Sequence, residues 1–387
     1  MKLRQTYKLG DVINVLDSKR IPLSSKEREM RKGEYPYYGA QGIIDYIDDY
    51  IFDGEYLLIA EDGENLKSQK QNIAQIARGK YWVNNHAHIV ESNGKCDIRY
   101  ICHLLNRMDI SGYITGSAQP KLNQANLCSI EIVLPDLEAQ IRIADFISSF
   151  DSKIEINKRI NDNLEQQAQA LYKSWFLDFE PFKDGNFVES ELGLIPEGWE
   201  VRDIYKYTDV IYGAPYKSSL FNENKEGYPL IRIRDLKSFA PQFYTQEILP
   251  QTEYIIAGDV VAGMDAEFTP YIWQGEKGVL NQRCCKFKGQ YPWVSNYYLL
   301  NLLKPELEYV QSYKTGTTVS HLGKADIDRF KVITPPESIV KTFSVIVNYL
   351  LEQKIKSAYE IRNLTSTRDT LLPKLMSGEL KINEIDY

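Results

Sequence analysis

The chain has 387 residues, a hydrophobic fraction of 43% and a formal net charge of −7 at pH 7. This length predicts two or three domains, and the hydrophobic content excludes wholesale disorder. The acidic balance argues against a free-standing DNA-binding protein, because such proteins ordinarily carry a basic excess.

Cellular location is indicated by the absence of targeting features. The first ten residues are polar and mixed in charge, and no run of eighteen apolar residues follows. We therefore expect a cytoplasmic protein with neither a signal peptide nor a membrane partner. The number of cysteines is odd, and no two of them are spaced as CxxC. We therefore expect ordinary, mostly buried thiols rather than a disulfide framework. The cysteines are Cys96, Cys102, Cys128, Cys284 and Cys285.

Residues 1–135 are predicted to form a β-rich globular domain. Short apolar or alternating stretches, such as residues 56–60 and 82–90, are bounded by turn-forming residues and do not alternate regularly with helices. Two turns combine aromatic, amide, hydroxyl and basic side chains. Such groups can read base edges or hold phosphates, whereas a solvated connector is the alternative. The candidate DNA-binding residues are Tyr37, Tyr38, Gln41, Thr115, Gly116, Ser117, Gln119 and Lys121.

A second chemical possibility in this segment is a metal pair. His86 and His88 lie two apart on a predicted strand, so both rings face one side, and Cys96 is a conceivable third ligand. No nearby carboxylate or cysteine triad completes the set. A structural role, or a polar edge facing DNA, is the favoured interpretation, and no metal site is predicted.

Residues 136–180 are predicted to form a long helix that begins after Pro135. Apolar residues recur at steps of four and three, with a polar middle at Asn157 and Asn161, which is typical of a coiled-coil seam. The apolar seam residues are Ile143, Ile147, Phe150, Ile154, Leu164, Leu171 and Trp175.

Residues 181–334 are predicted to form a second β-rich domain with its own DNA-facing turns. The vicinal pair Cys284 and Cys285 is interpreted as strand packing rather than as a redox site. The candidate DNA-binding residues here are Lys217, Arg232, Arg234, Thr315, Gly316, Thr317, Thr318 and His321. The side chains expected to read bases across both domains are Gln41, Gln119, Lys121, Arg232 and Arg234.

The chain also repeats itself. Shifting residues 113–135 by 200 aligns six identical residues, among them Gly116 with Gly316 and Pro135 with Pro335, and the register continues without a gap to Leu171 and Leu371. Residues 335–387 therefore hold a second long helix. Its seam residues are Phe343, Val347, Leu350, Leu364, Leu371 and Leu375.

This repeat predicts an α+β fold of two pseudo-symmetric halves. Each half has a β-rich domain followed by a long helix, and the two helices pair as an antiparallel coiled coil. Two separate helices, each docked on its own domain, are the alternative.

A search for catalytic motifs finds none. The sequence lacks a GxxxxGK[ST] phosphate loop and the Asp/Asn-Pro-Pro-Tyr/Phe tetrapeptide of amino-methyltransferases, and the acidic stretch after Pro135 lacks a nuclease lysine. We therefore predict that this chain has no catalytic site.

Four segments make the chain resemble the specificity subunits of type I restriction–modification systems. They are residues 134–144, 169–176, 193–199 and 371–380. The resemblance covers essentially the whole chain, including the order of variable domain and helix. The second helix departs from the pattern, since Glu337 is followed by Ser, Ile and Val where the first helix has Glu-Ala-Gln.

The resemblance implies two target-recognition domains that read a bipartite, asymmetric site in double-stranded DNA. The helices would act as a spacer and would dock two modification subunits that use S-adenosylmethionine to methylate adenine. Restriction subunits with ATP and Mg²⁺ would supply translocation and cleavage, so this chain would need no cofactor. Two alternatives stay open: a two-headed coiled-coil protein that binds no DNA, and a metal enzyme using His86, His88 and Cys96.

Overall fold

The computed structural model describes residues 4–116, 119–314 and 320–382. The chain divides into two compact units, one formed by residues 1–151 with 366–387 and the other by residues 152–365. Each unit has its own hydrophobic core.

The described residues of the first unit form three sheets and four short helices. Its strands are β1 Gln5–Lys8, β2 Ile13–Val15, β3 Lys32–Gly39, β4 Gly42–Ile47, β5 Phe52–Asp53, β6 Tyr56–Ala60, β7 Ala74–Ala77, β8 Lys80–Val83, β9 Ala87–Ser92 and β10 Glu131–Leu134. Its short helices are α1 Ser25–Met30, α2 Asn65–Ser68, α3 Ile98–Leu105 and α4 Gln124–Ser129. One sheet has the order β2-β9-β6-β7, another the order β4-β3-β8-β5, and β1 pairs with β10.

The second unit repeats this plan. Its strands are β11 Phe187–Ser190, β12 Gly193–Pro196, β13 Glu200–Asp203, β14 Thr208–Tyr212, β15 Phe221–Asn222, β16 Tyr228–Ile231, β17 Tyr244–Thr245, β18 Tyr254–Ile255, β19 Val260–Gly263, β20 Pro270–Ile272, β21 Gly278–Leu280, β22 Cys284–Gly289 and β23 Lys331–Thr334. Its sheets have the orders β14-β22-β19-β20 and β15-β17-β16-β21-β18, β13 pairs with β23, and β11 pairs with β12. Two helices, α6 Asn296–Lys314 and α7 Lys324–Ile327, follow the sheets.

The two units share one topology. In each, a four-stranded antiparallel sheet is built in the same strand order, and the neighbouring sheet contains one parallel pair, β3 with β8 or β16 with β21. The pair β1–β10 corresponds to β13–β23, since each joins an early strand of a β-rich region to the strand that precedes the next long helix. The predicted α+β fold with two pseudo-symmetric halves is therefore confirmed.

The long helices are α5 Leu137–Tyr172, extended by a π-helical turn at Lys173–Leu177, and α8 Glu337–Ser377. Helix α5 begins where it does because Pro135 cannot donate a backbone hydrogen bond and the Asp136 carboxylate accepts one from the amide of Ala139. These helices lie within the predicted segments 136–180 and 335–387. The division into four domains remains a prediction.

Both units contain an antiparallel pairing of α5 with α8. In the first unit Asp151 contacts Arg368 at 2.6 Å, and Ile147 shares a core with Leu372. In the second unit the Ser357 hydroxyl donates to the Asn157 carbonyl at 3.1 Å. The Phe176 and Phe343 rings lie 4.8 Å apart.

Every residue of both predicted seams is buried or half-buried. Because a seam exposed to water would leave a long apolar stripe, the partner helix supplies the burial that each seam requires. The predicted coiled coil is therefore part of the observed fold.

The cysteines and the hydrophobicity of the helices are also subjects of prediction. All five cysteines are free thiols, and four are buried. Burial raises the pKa of Cys285 to about 12 and raises that of Cys284 as well, so neither thiol ionises readily on β22. Among the described residues, no helix is long and apolar enough to cross a membrane.

Candidate nucleic-acid interface

In the first unit, the loop that begins at Thr115 is closed by its own backbone. The amides of Thr115 and Lys121 each donate to the other's carbonyl at 2.8 Å. Gly116 has a φ of +82°, and a Cβ there would lie 2.3 Å from the Gln119 carbonyl oxygen. This position therefore requires glycine. Thr115, Gln119 and Lys121 are exposed, as their predicted role demands, whereas Ser117 lies outside the described residues.

The same loop is tied to the end of strand β6. The Leu122 amide donates to the Glu61 carbonyl at 2.8 Å, and the Gly63 amide donates to the Pro120 carbonyl at 3.1 Å. Asp62 and Lys121 face each other as an antiparallel bridge. Hydrogen bonds thus fix the loop to the chain on both sides of Asp62, which holds the loop backbone rigid beneath its side chains.

Basic side chains lie beside the two acidic residues at the end of β6. The His86 Nδ1 lies 2.7 Å from an Asp62 carboxylate oxygen, and the Lys121 ammonium lies 3.2 Å from Glu61. Burial raises the pKa of the Glu61 carboxyl, but the hydrogen bond from Arg20 and the neighbouring charges outweigh it and leave that pKa below its ordinary value. Glu61 is therefore ionised at neutral pH.

A buried network supports the loop from behind. The His88 ring contacts the Asp17 carboxylate through Nδ1 at 2.5 Å and the Leu122 carbonyl through Nε2 at 2.7 Å. Arg20 contacts Asp17 at 3.2 Å and Glu61 at 2.8 Å. Since both imidazole nitrogens and both carboxylates already have partners, the network is structural.

The proposed metal triad is not assembled. Among the described residues, one group has metal-ligand geometry, and it consists of Asp17, Glu61 and His88. Arg20 contacts both of its carboxylates, which disfavours a cation there. His86 instead contacts Asp62, and the Cys96 thiol donates to the Val12 carbonyl at 3.2 Å. The alternative that groups His86, His88 and Cys96 is therefore wrong.

The predicted DNA contacts on the hairpin of β3 and β4 differ in their exposure to solvent. Gln41 is exposed at the turn, and Tyr38 is half-buried. Tyr37, however, is 0% exposed, and its hydroxyl accepts a hydrogen bond from the Leu23 amide at 2.9 Å. The structure corrects the prediction that Tyr37 contacts DNA, because this side chain lies in the core with no surface open to a ligand.

In the second unit, the equivalent loop uses a different set of side chains. Asp265 and His321 form the antiparallel bridge, and the His321 Nδ1 lies 2.6 Å from the Asp265 carboxylate. Arg283 contacts the other oxygen of the same carboxylate at 3.1 Å. The predicted contacts Thr315, Gly316, Thr317 and Thr318 lie outside the described residues.

The remaining predicted contacts of this unit differ in accessibility. Lys217 and Arg234 are exposed. The Arg232 guanidinium stacks 4.3 Å from the centroid of the Phe243 ring, and two of its nitrogens are buried without a hydrogen-bond partner. Because two of the three guanidinium nitrogens are buried, Arg232 is poorly placed for the bidentate contact that recognises guanine, which argues against the prediction that it reads a base.

Three functional candidates were not predicted: Asp62, Asp265 and Arg283. Their signal in the sequence is weak because it needs an exact alignment of the repeats. The strand comparison of residues 54–58 with 258–262 has an offset of 204, which pairs Asp62 with Ala266 rather than with Asp265. The backbone hydrogen bonds pair Glu61 with Met264, an offset of 203, so the comparison that aligned the two glycines was displaced by one residue.

Comparison with known proteins gives a consistent result. A family described as the type I restriction modification DNA specificity domain matches residues 1–166 and 196–360. The MjaIX specificity subunit of Methanocaldococcus jannaschii is 28% identical, over 94% of this chain and 90% of that protein. The HindI specificity subunit of Haemophilus influenzae is 24% identical, over 96% and 93%.

A solved structure supports the fold. The S subunit of a type I restriction-modification system from M. genitalium superposes with a TM-score of 0.61 at 14% identity, over 96% of each chain. The family match covers most of the sequence and falls on both units. The chain belongs to the family of type I restriction–modification DNA specificity subunits.

Proposed function

We propose that this chain recognises a bipartite, asymmetric site in double-stranded DNA, with one half-site read by each unit. The observation that carries the proposal is the repeated topology with non-identical loop chemistry. The exposed candidate contacts outside these loops differ, with Gln41 in the first unit and Lys217 and Arg234 in the second. Two similar frames with different exposed side chains suit two half-sites of different sequence.

The chain is proposed to perform no chemistry itself. Modification subunits would bring S-adenosylmethionine and methylate adenine, and restriction subunits would bring ATP and Mg²⁺. Exposed apolar side chains on the paired helices support partner docking, since water-facing residues of this kind are otherwise unfavourable in a group. Those of the second unit include Ile156, Ile160, Val345, Ile346 and Tyr349.

The deciding experiment is co-expression of the full chain with a cognate modification subunit in a host that lacks adenine methylation. We expect methylated adenines within a single bipartite motif. Neither protein alone should produce that pattern. Methylation by the isolated chain, or a motif that is unchanged when the chain is omitted, would contradict the proposal. Co-purification without any DNA binding would instead support the two-headed interaction protein.

A further inference from the structure

Asp62 and Asp265 occupy the same structural position in the two units. Each follows a central strand, β6 or β19, and forms an antiparallel bridge with the residue that ends the neighbouring loop. The backbone bonds on either side also correspond. Gly63 donates to Pro120 at 3.1 Å, and Ala266 donates to Ser320 at 3.0 Å. The equivalence is therefore a property of the backbone and does not depend on side-chain identity.

Two basic residues adjoin each aspartate along the backbone. The first opens the neighbouring strand: the His86 carbonyl accepts from the Glu61 amide at 2.9 Å, and the Arg283 carbonyl accepts from the Met264 amide at 2.8 Å. The second is the bridge partner, Lys121 or His321. Beside each aspartate there is thus one histidine and one lysine or arginine, with the histidine in exchanged positions in the two units.

These basic side chains remain open to solvent. The side chains are 51% exposed at His86, 53% at Lys121, 57% at Arg283 and 48% at His321. Three of the four lie against an Asp62 or Asp265 carboxylate, and Lys121 lies against Glu61. A carboxylate that holds one face of a cation restricts its rotamers and leaves its other donors directed outward.

The repetition indicates which part of DNA these donors meet. Direct base readout depends on residue type, since arginine, lysine and histidine present different donor patterns to a base edge. A phosphate accepts hydrogen bonds from an ammonium, from a guanidinium and from an imidazole that carries a proton on both nitrogens. A position that keeps its basic character in both units, but not its residue type, therefore suits the sequence-independent backbone.

We propose that His86 with Lys121 and Arg283 with His321 form one phosphate-binding pair in each unit. In this proposal Asp62 positions His86, and Asp265 positions both Arg283 and His321. The inference rests on the proposed function. It assigns Lys121 to the phosphate backbone rather than to a base edge. The exposed side chains elsewhere, including Gln41 and Arg234, are left to read sequence.

The first test measures the salt dependence of DNA affinity for the full chain in complex with its modification subunits. The probe is a duplex that carries the motif methylated by the wild-type complex. Arg283→Gln or Lys121→Gln removes one phosphate contact, so the slope of log K against log salt should fall by about 0.9 for each substitution. The methylated motif should not change.

A matched control is Arg202→Gln. Arg202 is 58% exposed and paired with Glu200 at 2.8 Å, but it lies on β13 rather than beside either loop. Its substitution should leave the slope unchanged. An altered motif in Arg283→Gln or Lys121→Gln, with an unchanged slope, would overturn the proposal in favour of base reading.

The second test isolates the positioning role through the sign of its effect. Asp265→Asn removes a negative charge near the proposed phosphate, so simple electrostatics predicts tighter binding. A positioning role predicts weaker binding and a reduced salt slope, because His321 and Arg283 lose the group that orients them. Tighter binding would overturn the assignment of Asp265. Should this variant fail to fold, Arg283→Gln still decides the proposal, since its side chain is exposed.

Different results would contradict the proposed function and the phosphate assignment. If the wild-type complex neither binds nor methylates a bipartite motif, the proposed function fails. If it does both, but the slopes of Arg283→Gln and Lys121→Gln equal that of Arg202→Gln, only the phosphate assignment fails.

Discussion

At the residue scale, one ion pair between α5 and α8 is largely buried. Lys354 contacts Glu165, which also accepts a hydrogen bond from the Tyr297 hydroxyl at 3.0 Å. Burial raises the pKa of Glu165, but the charge of Lys354 and the hydrogen bonds to the carboxylate outweigh it and leave that pKa below its ordinary value. This ionised pair lies near the polar middle of the seam, where it favours one register of the two helices.

Removing one partner of this pair should destabilise the second unit. Lys354→Met leaves a mostly buried carboxylate unpaired, and we expect a loss of about 2 kcal/mol, discounted because the Glu165 side chain retains 23% exposure. The double variant Glu165→Met with Lys354→Met should recover most of that loss. Urea unfolding of the full chain at pH 7 measures both. Arg159→Met, which breaks the exposed pair with Glu155, is the control and should cost about 0–0.5 kcal/mol.

The pH dependence of this effect has a defined direction. The folded-state pKa of Glu165 is depressed below the ordinary value of 4.5. Its contribution to stability is therefore fully present above that value and is lost as the pH falls through the folded-state pKa. The stability difference between the wild type and the double variant should accordingly shift toward the variant below pH 4.5. A difference that is constant from pH 7 to pH 3 would contradict the assignment.

At the scale of elements, the buried face of each long helix follows a heptad spacing that is visible in the sequence. The seam residues of α5 and α8 recur at steps of three and four and are buried or half-buried throughout. The gapless 200-residue register between the two copies suggests that helix length matters to function. Length and phase are separable by insertion, because a heptad preserves phase while adding rise.

Inserting seven residues after Lys158 in α5 and seven after Tyr359 in α8 tests this idea. Both residues are exposed. The insertions add about 10.5 Å of helix rise, which equals roughly three base pairs of duplex. We expect methylation of the same two half-sites with a longer non-specific gap, as measured by mapping methylated adenines. Insertions of two residues rotate the seams and should unfold or inactivate the protein. An active heptad variant with an unchanged gap would show that the helices do not set the spacing.

At the scale of the whole molecule, the shared topology predicts modular recognition. Each unit has its own core and its own loop supported by a strand end. Exchanging residues 1–135 for the matching segment of a relative should therefore change one half of the methylated motif and leave the other intact. The reciprocal exchange of residues 181–334 is the control and should change the other half. A first-half exchange that altered both half-sites would contradict modular reading.

The sequence by itself determined the features that depend on local pattern or on repetition. These are the two halves, the β-rich domains, both long helices and their seams, because hydrophobic periodicity and a fixed offset are properties of the linear chain. Only the tertiary structure decided which turn residues face outward. Tyr37 and Arg232 have suitable chemistry but are enclosed, because burial depends on neighbours distant in sequence. The pairing of Asp62 with His86 and of Asp265 with Arg283 and His321 was equally hidden, since contacts between separate strands and loops have no signature in spacing.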